Sequence, residues 1–366
     1  MQADTDGLYL GLISGTSLDG VDTVLIERSG SRVRLVQAAT TPYPRALREK
    51  LRTLASGQGD IVSLYRCDIE VGDFFAAAAN ALLGTTGTAP ESVRAIGSHG
   101  QTVWHQPRDH FSVQIGDGAR ISQQTGIVTV YDFRRADLAA GGEGAPLAPA
   151  FHQAVFSKSA PVAVLNLGGI ANLTILLPEC PPLAFDVGPA NTLLDALARE
   201  TTGKSCDRGG ALAARGMVDP GLLHSLAADP WFALPPPKST GPEYFHLDWV
   251  RRHQRAKELS APDLAATLTA LSATSIASAL ERHGGQVRTL LLCGGGVHNP
   301  QLIGMLREAM PGIRIESTSV QGVDPDFMEA MCFAWLAGET LAGRPGNLPS
   351  VTGAQRPVVL GAVYRP

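Results

Sequence analysis

The sequence is poor in charged residues, lacks paired cysteines and contains no long apolar run. Asp, Glu, Lys and Arg make up 17% of the 366 residues, whereas an average soluble protein has about 25%. The five cysteines lie far apart and no CxxC pair occurs, which argues against a disulfide framework and a zinc-binding motif. We therefore expect reduced thiols, as in a cytosolic protein.

Two further absences restrict the partners of the protein. The 30 basic and 34 acidic residues give a net charge of −4, and the basic residues do not form the dense stripe of a nucleic-acid-binding protein. The most apolar stretches, Phe74 to Gly84 and Leu290 to Val297, are shorter than the roughly 18 residues of a membrane span, and no charged-then-apolar leader opens the sequence. We expect a cytoplasmic protein that binds neither nucleic acid nor a membrane.

Glycine and proline, in contrast, are abundant. The 40 glycines and 25 prolines indicate many tight turns. Helices are predicted at 61–84, 263–283 and 325–342, and the proline-rich segment Asp229 to Glu243 is predicted to be irregular. Strands that alternate with helices predict an α/β fold with a mostly parallel sheet. At about 150 residues per domain, the chain is expected to form two domains.

Two similar hairpins open the two halves of the chain. Residues 7–14 and 21–27 have strand patterns on either side of a turn-rich segment. Residues 161–167 and 173–177 repeat this arrangement around a second turn of small residues. A hairpin that recurs at the start of each half indicates a duplicated architecture.

The loop from Ser14 to Asp22 has the composition of a phosphate-binding loop. Its glycines let the backbone approach a ligand, successive N–H groups can form an anion-binding nest, and Ser and Thr add hydroxyl donors. Asp19 and Asp22 could bind Mg²⁺ directly or through water, because Mg²⁺ prefers carboxylate oxygens and keeps several waters. An ordinary hairpin loop has the same turn-forming residues, so both interpretations stay open here.

Two more glycine-rich turns could contact a nucleotide. The turn Asn166 to Asn172 could bind a second phosphate, and Leu290 to Asn299 is a strand that ends in three glycines, against which adenine or ribose could lie. An NAD-dependent oxidoreductase also stays open, because Glu316 is placed like the acidic residue of a dinucleotide fold, although the third glycine of that fingerprint is missing. A P-loop ending at Gly203 to Ser205 is rejected, since Ala198 replaces its first glycine.

Asp186 is the candidate catalytic group. It lies at the end of a predicted strand, just before a helix predicted from Asn191, and ligands of α/β sheets gather at such ends. The helix N-terminus would keep the carboxylate ionised, as a base acting on a hydroxyl or water must be. A helix cap is the structural alternative. Residues 97–105 and 131–137 are rich in side chains that bind polar sugars, and an arginine there could form paired hydrogen bonds with a carboxylate.

Several longer motifs resemble one kinase family. The segments Ser14 to Asp22, Gly97 to Thr102, Leu165 to Asn172, Pro235 to Gly241 and Cys293 to Asn299 closely resemble motifs of anhydro-N-acetylmuramic acid kinase. The resemblance extends from about residue 8 to residue 364. It implies an α/β, two-domain actin-like (ribonuclease H-like) sugar kinase fold with a duplicated core and an interdomain cleft. It also implies an N-terminal lobe at residues 1–133 and a C-terminal lobe at residues 134–366.

The resemblance implies an activity as well. Members of this family are ATP-dependent kinases that open the 1,6-anhydro bond of 1,6-anhydro-N-acetylmuramic acid with water and phosphorylate the freed O6. The products are N-acetylmuramic acid 6-phosphate and ADP, in the recycling of peptidoglycan. ATP and Mg²⁺ are the implied cofactors, a small amino sugar is the implied partner, and a cytoplasmic homodimer is the implied state. Another sugar kinase of the actin-like fold and a non-catalytic, nucleotide-gated actin-like module stay open as alternatives.

The same resemblance implies the roles of individual residues. Asp186 matches the general base, and Asp19 is the implied Mg²⁺ ligand, directly or through water. The implied ATP-binding residues are Gly15, Thr16, Ser17, Leu18, Asp19, Gly20, Val21, Asp22, Gly168, Gly169, Asn172, Gly294 and Gly295. The implied substrate-binding residues are His99, Gln101, Arg134 and Glu329. The sequence departs from the family pattern at Val187, Ala190 and Cys206, where Thr, Gly and Tyr are usual.

Overall fold

The structure is a computed structural model and describes residues 5–15, 17–30 and 32–366. The chain forms two compact units. The first unit contains the residues up to Val155 together with Gly322–Pro366, and the second contains Phe156–Gln321. The first unit is therefore built from two segments that are distant in the sequence.

Strands and helices alternate along much of the chain. The strands are β1 (Gly7–Ser14), β2 (Gly20–Ser29), β3 (Arg32–Pro42), β4 (Val93–Gln106), β5 (Phe111–Ile115), β6 (Thr129–Tyr131), β7 (Val162–Leu167), β8 (Ile170–Leu176), β9 (Leu183–Pro189), β10 (Thr289–Cys293), β11 (Arg314–Ser317) and β12 (Ala362–Tyr364). The helices are α1 (Arg45–Ala55), α2 (Ile61–Thr86), α3 (Gly118–Thr125), α4 (Arg135–Ala139), α5 (Ala148–Phe156), α6 (Thr192–Thr202), α7 (Pro220–Ala227), α8 (Pro230–Ala233), α9 (Leu247–Arg251), α10 (Gln254–Glu258), α11 (Ala261–His283), α12 (Pro300–Ala309), α13 (Met328–Leu341) and α14 (Pro349–Thr352).

The sheet of the first unit combines antiparallel and parallel strands. Its order is β12-β6-β4-β1-β2-β3, and β5 pairs with β4 outside this order. The neighbours β1, β2 and β3 are antiparallel, whereas β4 runs parallel to β1 and β6 runs parallel to β4. The buried residues of α2, among them Val71, Phe75 and Leu82, pack with Leu10 and Ile96 of the sheet to form the core.

The sheet of the second unit repeats this core. Its order is β11-β10-β7-β8-β9, with β7, β8 and β9 antiparallel, β10 parallel to β7, and β11 parallel to β10. The series β3-β2-β1-β4-β6 and β9-β8-β7-β10-β11 therefore have the same order and the same strand directions. This duplication confirms the predicted actin-like (ribonuclease H-like) sugar kinase class, while the cleft between the domains stays a prediction.

Both predicted hairpins are present, and the irregular segment is shorter than predicted. The turn of the second hairpin consists only of Gly168 and Gly169, because β8 already begins at Ile170. Helix α8 lies inside the segment predicted to be irregular. Asp229 caps this helix by accepting a hydrogen bond from the Trp231 N–H at 2.9 Å, and the proline at position 230 suits its first turn.

The predicted lobes, residues 1–133 and 134–366, differ from the two units of the structure, because the first unit continues to Val155 and also includes Gly322–Pro366. The second difference follows from the packing of α13 on the first sheet. Gly11 on β1 and Gly97 on β4 are partners in adjacent parallel strands. A Cβ at Gly11 would overlap the carbonyl oxygen of Ala330, and one at Gly97 would overlap that of Phe333. The backbone of α13 therefore lies directly on these two glycines, and residues 322–366 join the first unit.

Substituting Gly97 with alanine tests this close approach. We expect Gly97→Ala to lower the free energy of unfolding by about 3 kcal/mol, since the helix backbone must move to admit the methyl group. The matched control is Gly304→Ala in α12, where an added Cβ has no neighbour within 4 Å. That control should stabilise the helix by roughly 0.5–1 kcal/mol. Urea unfolding measures both, and equal midpoints would contradict the packing argument.

Within the described residues, α11 is the one helix that is long and apolar enough by length and composition to cross a membrane. This differs from the sequence expectation, in which every apolar stretch is too short for a membrane span. However, 67% of the most apolar window of α11 is buried inside the protein. Leu264, Leu268 and Leu271 pack with other buried residues of the second unit. Packing in a protein core accounts for the apolar character of this helix.

Candidate active site

The carboxylate of Asp186 lies on β9 in the second unit and accepts one hydrogen bond at each oxygen. Asn172, its partner on the antiparallel strand β8, donates from Nδ2 to Oδ1 at 2.9 Å. The backbone N–H of Thr240 donates to Oδ2 at 2.9 Å. The backbone N–H of Asp186 donates in turn to the Lys238 carbonyl at 3.0 Å. Residues 238–240 therefore hold this carboxylate from outside the sheet.

The environment of Asp186 suits a base. The side chain is half-buried, and burial raises its pKa above the ordinary 3.8, although the hydrogen bonds from Asn172 and Thr240 oppose this shift. The N-cap of α6 is Asn191, so Asp186 neither caps this helix nor receives its hydrogen bonds from the helix N-terminus, which differs from both sequence interpretations. A partly exposed carboxylate with a raised pKa can take up a proton and release it again.

The turn at Gly168 and Gly169 is fixed and partly exposed. The Gly168 carbonyl accepts from the Asn191 backbone N–H at 3.1 Å, and the Gly169 carbonyl accepts from the Thr192 N–H at 3.0 Å. These bonds hold the turn against the start of α6. A Cβ added at Gly168 or Gly169 would make ordinary van der Waals contact, with its nearest neighbour at 3.5 or 3.7 Å. Packing alone therefore does not require glycine at either position, which leaves room for a functional reason such as phosphate binding by the backbone.

The three-glycine segment lies beside that turn. Gly294 has a φ of +80°, and its Cβ would overlap the side-chain oxygen of Asn166 at the end of β7. A Cβ on Gly296 would lie 2.6 Å from the Leu167 Cβ, whereas one on Gly295 would have no neighbour within 4 Å. Two of the glycines are thus needed for packing, and the middle one borders open space. The structure brings these two predicted nucleotide-binding turns together.

The strand directions around these glycines argue against the dinucleotide-binding alternative. A dinucleotide fold is built from parallel strands joined by helices. Here β10 is parallel to β7, but β8 and β9 are antiparallel and follow β7 through tight connections. The hairpin arrangement therefore does not support an NAD-dependent oxidoreductase.

In the first unit, Gln101 holds the beginning of the predicted ATP loop. Its Oε1 accepts a hydrogen bond from the Ser14 hydroxyl at 2.6 Å, and its Nε2 donates to the Gly15 carbonyl at 3.2 Å and to the Thr102 carbonyl at 3.1 Å. Gln101 is 0% exposed. The structure thus places its amide on the loop, although the sequence suggested a contact with the sugar.

In the rest of this loop, the groups that a ligand could contact belong mainly to the backbone. Gly15 and Ser17 are exposed, whereas the side chains of Leu18 and Val21 are buried in the core, so a nucleotide could contact these two only through the backbone. Gly20 has to be glycine, because its Cβ would overlap the Thr41 carbonyl on β3. Thr16, predicted to bind ATP, lies outside the described residues.

The carboxylates of this loop differ in their contacts. Asp19 is exposed and forms an ion pair with Arg48. Asp22 accepts a hydrogen bond from the Thr40 hydroxyl at 2.6 Å, and its pKa is raised by burial and by the nearby negative charge of Asp326. Within residues 5–15, 17–30 and 32–366, no group of three or more His, Cys, Asp or Glu could hold a metal ion. Asp19 and Asp22 are thus separate carboxylates and do not belong to a metal-binding cluster. Such single carboxylates suit an Mg²⁺ ion whose other ligands are phosphates and water.

Arg134 and His99 form one cluster in the first unit. His99 is 4% exposed, and its Nδ1 must carry the proton because it donates to the Gly100 carbonyl at 3.0 Å. Its Nε2 accepts from Arg134 Nε at 3.1 Å and Nη2 at 2.9 Å. Burial and the Arg134 charge hold the pKa of His99 well below 6.5. His99 is therefore a neutral acceptor that orients the guanidinium.

The same guanidinium keeps donors for a ligand. Its Nη1 donates to the Gly144 carbonyl at 2.8 Å. An arginine has five N–H donors, and these contacts with described residues use three of them, leaving one on each terminal nitrogen. Burial lowers the pKa of Arg134 to about 10, and the charge of Glu329, exposed in the first turn of α13, opposes this shift. These two remaining donors are available to a ligand, and a carboxylate is a group that arginine binds through paired donors.

Two contributors to these sites were missed in the sequence. Thr240 lies in the polar segment that follows the prolines at 235–237, and this polarity is the sequence signal that could identify it. Its hydrogen bond to Asp186, however, joins residues that are 54 positions apart. Asp137 lies within the segment singled out for sugar binding, yet nothing local distinguishes it from a surface carboxylate. It is 0% exposed.

Comparison with known proteins decides the family. The family model of anhydro-N-acetylmuramic acid kinase matches residues 7–366. This chain belongs to that family.

Relatives with the name anhydro-N-acetylmuramic acid kinase match along their full length. The protein of Xanthomonas campestris pv. campestris is 53% identical over 365 residues, which cover 98% of this chain and 97% of that protein. The protein of Vibrio parahaemolyticus is 44% identical over 362 residues, with 98% of both chains covered. Kinase activity, as the resemblance implied, is therefore confirmed.

Solved structures show a looser likeness. Component A of (R)-2-hydroxyglutaryl-CoA dehydratase from Acidaminococcus fermentans has a TM-score of 0.49 at 13% identity, with 90% of this chain and 98% of that chain covered. A ROK family glucokinase from Streptomyces griseus, in complex with glucose and AMPPNP, has a TM-score of 0.40 at 14% identity, with coverage of 90% and 99%. The fold class rests on the strand orders instead.

Two departures from the pattern of the anhydro-N-acetylmuramic acid kinase family lie in the core of the second unit. Val187 and Ala190 are both buried there, and Val187 lies where the register of β8 and β9 shifts. A hydroxyl at position 187 would therefore be placed among apolar side chains. Cys206 is a partly exposed free thiol.

Proposed function

We propose that this kinase opens the 1,6-anhydro ring of 1,6-anhydro-N-acetylmuramic acid with water and transfers a phosphoryl group from ATP to O6. The products are N-acetylmuramic acid 6-phosphate and ADP, and the reaction belongs to peptidoglycan recycling. Family membership supports the substrate. The observation in this structure that carries the proposal is the Asp186 carboxylate, which is half-buried, accepts one hydrogen bond at each oxygen and has a raised pKa.

Asp186 acts on water in this mechanism. One carboxylate oxygen takes a proton from water while the water oxygen forms a bond to C1 of the sugar. The C1–O6 bond breaks, and O6 leaves with the electron pair of that bond and attacks the γ-phosphorus, from which ADP departs. The proton held by Asp186 passes to solvent. The hydrogen bonds from Asn172 and Thr240 keep the carboxylate in one orientation throughout, as general base catalysis requires.

The nucleotide is bound mainly through backbone. Gly169 and Gly295 are exposed and Gly168 is half-buried, so their peptide groups are accessible to phosphate or ribose. Gly15 and Ser17, both exposed in the first hairpin loop, contribute a second such turn. Phosphoryl transfer asks the protein mainly for alignment and charge stabilisation, and rigid glycine turns supply the alignment.

Asp22 and Asp19 are the carboxylates that would hold Mg²⁺, together with water and the phosphates of ATP. When bound, Mg²⁺ neutralises charge that develops on the transferred phosphoryl group. The pair between Asp19 and Arg48 favours Asp22 as the more available ligand.

Arg134 recognises the sugar by binding the carboxylate of the sugar's lactyl group. The two remaining donors of Arg134 are available to that carboxylate, and Glu329 lies close enough for its charge to act on the guanidinium. His99 acts on the sugar only through Arg134, and Gln101 acts only on the nucleotide loop. A homodimer follows from the family resemblance alone, and a cytoplasmic location follows from the resemblance together with the composition; both stay predictions.

Turnover in ¹⁸O-labelled water tests the reaction. With ATP, Mg²⁺ and the anhydro-sugar, we expect one ADP per phosphosugar and one ¹⁸O on C1, detected by mass spectrometry at early times. The phosphoryl group should carry no label, because O6 already belongs to the sugar. A product without label, or equal activity on sugars that have no anhydro bond, would favour an ordinary sugar kinase instead.

A further inference from the structure

Asp137 on α4 is a buried carboxylate that the mechanism does not use. Its Oδ1 accepts hydrogen bonds from Asn347 Nδ2 at 2.6 Å and from the Thr352 hydroxyl at 2.7 Å. Its Oδ2 accepts from the Gly144 backbone N–H at 2.8 Å. Asp137 is 0% exposed. Such a buried carboxylate is stable only where several donors replace water, and here they come from two segments of the first unit, the loop at Gly144 and the C-terminal segment from Asn347 to Thr352.

The loop that carries Gly144 is held by backbone hydrogen bonds as well as by the Asp137 side chain, and the Gly142 N–H donates to the Asp137 carbonyl at 2.9 Å. A Cβ at Gly142 would overlap the Asp137 carboxylate, which explains the glycine there. The Glu143 N–H donates to the Thr352 carbonyl at 2.8 Å, on the far side of the same network. The loop and the segment around Thr352 are thus joined through the Asp137 carboxylate.

This loop in turn supports Arg134. The Gly144 carbonyl accepts from Arg134 Nη1 at 2.8 Å, while His99 accepts from the other edge of the guanidinium. Two supports on different edges fix the direction in which the remaining donors point. The negative charge of Asp137 also helps to offset the burial that lowers the pKa of Arg134.

We propose that Asp137, held by Thr352 and Asn347, is a positioning residue that aims the two remaining donors of Arg134 and thereby sets selectivity for a sugar with a carboxylate. The inference rests on the proposed function, because it takes the lactyl carboxylate as the group that Arg134 binds. Asp137 acts through the Gly144 carbonyl and does not touch the substrate. A sugar without the carboxylate cannot form these paired hydrogen bonds with Arg134, so the Asp137 network does not strengthen its binding.

The test compares Thr352→Val, which removes one donor at nearly constant shape, with Thr352→Ser, which keeps the hydroxyl. The measured quantity is kcat/KM for 1,6-anhydro-N-acetylmuramic acid divided by kcat/KM for 1,6-anhydro-N-acetylglucosamine, which lacks the lactyl group. We expect this ratio to fall about fivefold in Thr352→Val and about tenfold in Asp137→Asn. KM for ATP should stay constant, and Thr352→Ser should retain the wild-type ratio.

A second measurement does not depend on turnover. The ¹⁵N signal of His99 Nε2 reports the hydrogen bond from Arg134, and assignment with His99→Asn identifies it. We expect this signal to move toward that of a non-bonded nitrogen in Thr352→Val but not in Thr352→Ser. A shift in this signal supports the positioning role even if wild-type protein phosphorylates neither sugar, an outcome that would refute the proposed function instead.

Two results would overturn the inference. One is an equal loss of kcat/KM on both sugars with a constant ratio, which would show that Asp137 only supports the fold. The other is an unchanged His99 signal in both Thr352→Val and Asp137→Asn while both variants remain folded by circular dichroism. Either result would leave Asp186 and the proposed reaction unaffected.

Discussion

Replacing Asp186 with asparagine is expected to lower kcat for the anhydro-sugar by about 10³-fold, because an amide cannot take the proton from water and a positioned base contributes roughly 10²–10⁴. Asparagine has almost the same shape as aspartate. It can keep both hydrogen bonds if the Asn172 amide reverses and presents its oxygen. The fold and the glycine turns should be retained, so the dissociation constant for ATP should change by less than about threefold, or less than 0.7 kcal/mol.

Asp195→Asn is the matched control for this variant. Asp195 lies on α6 in the same unit, and burial raises its pKa to about 6, but the proposed mechanism assigns it no role. Its neutralisation should leave kcat unchanged. Steady-state assays of ADP release and calorimetric titration with ATP measure the two effects. Turnover of Asp186→Asn at more than about a tenth of the wild-type rate would be too high for loss of the base.

The pH dependence follows from the same carboxylate. The base must be ionised, so kcat/KM should decrease as the pH falls through the Asp186 pKa, and this acidic limb should lie above the ordinary aspartate value of 3.8 because the folded pKa is raised. Asp195, whose pKa is about 6, has no role in the proposed mechanism, so its titration should leave the profile unchanged. The Asp195→Asn profile should therefore match that of the wild type, and loss of the acidic limb in this variant would assign the limb to Asp195 instead of Asp186.

The sequence predicts these sites well where their residues lie close together along the chain. Glycines beside apolar strands predict both the hairpin turn at Gly168 and the strand-to-helix turn at Gly294, because turn chemistry and strand periodicity are local properties. Asp186 was identified from its place at a strand end. The duplicated core was visible as two similar hairpins, which correspond to β1–β2 and β7–β8.

What the sequence did not predict depends on contacts between distant segments. The hydrogen bond between Ser14 and Gln101 spans 87 positions, and that between Asp137 and Thr352 spans 215. Neither leaves a periodicity or a motif. The resemblance implies a sugar contact for Gln101, whereas the structure places its side-chain amide on the loop. The packing of α13 on Gly97 is likewise a contact between distant segments, and it places residues 322–366 in the first unit.

Replacing Arg134 with lysine should lower kcat/KM for 1,6-anhydro-N-acetylmuramic acid about 100-fold, because a lysine keeps the charge but loses the paired hydrogen bonds of the guanidinium. The loss should appear mainly in KM, since the carboxylate is distant from the bonds that change during the reaction. For 1,6-anhydro-N-acetylglucosamine the decrease should be far smaller. Coupled assays of ADP release with both sugars measure the difference.

Arg135→Lys supplies the matched control at the next position. The Arg135 side chain is largely exposed and its nearest carboxylate, that of Asp132, lies 3.4 Å away, so the control changes an arginine without touching the cluster of His99 and Arg134. Its kcat/KM should equal that of the wild type on both sugars, because exposed ion pairs contribute little. If Arg134→Lys reduced activity equally on both sugars, the guanidinium would serve the fold or the phosphoryl group, and recognition of the lactyl carboxylate would have to be assigned to another residue.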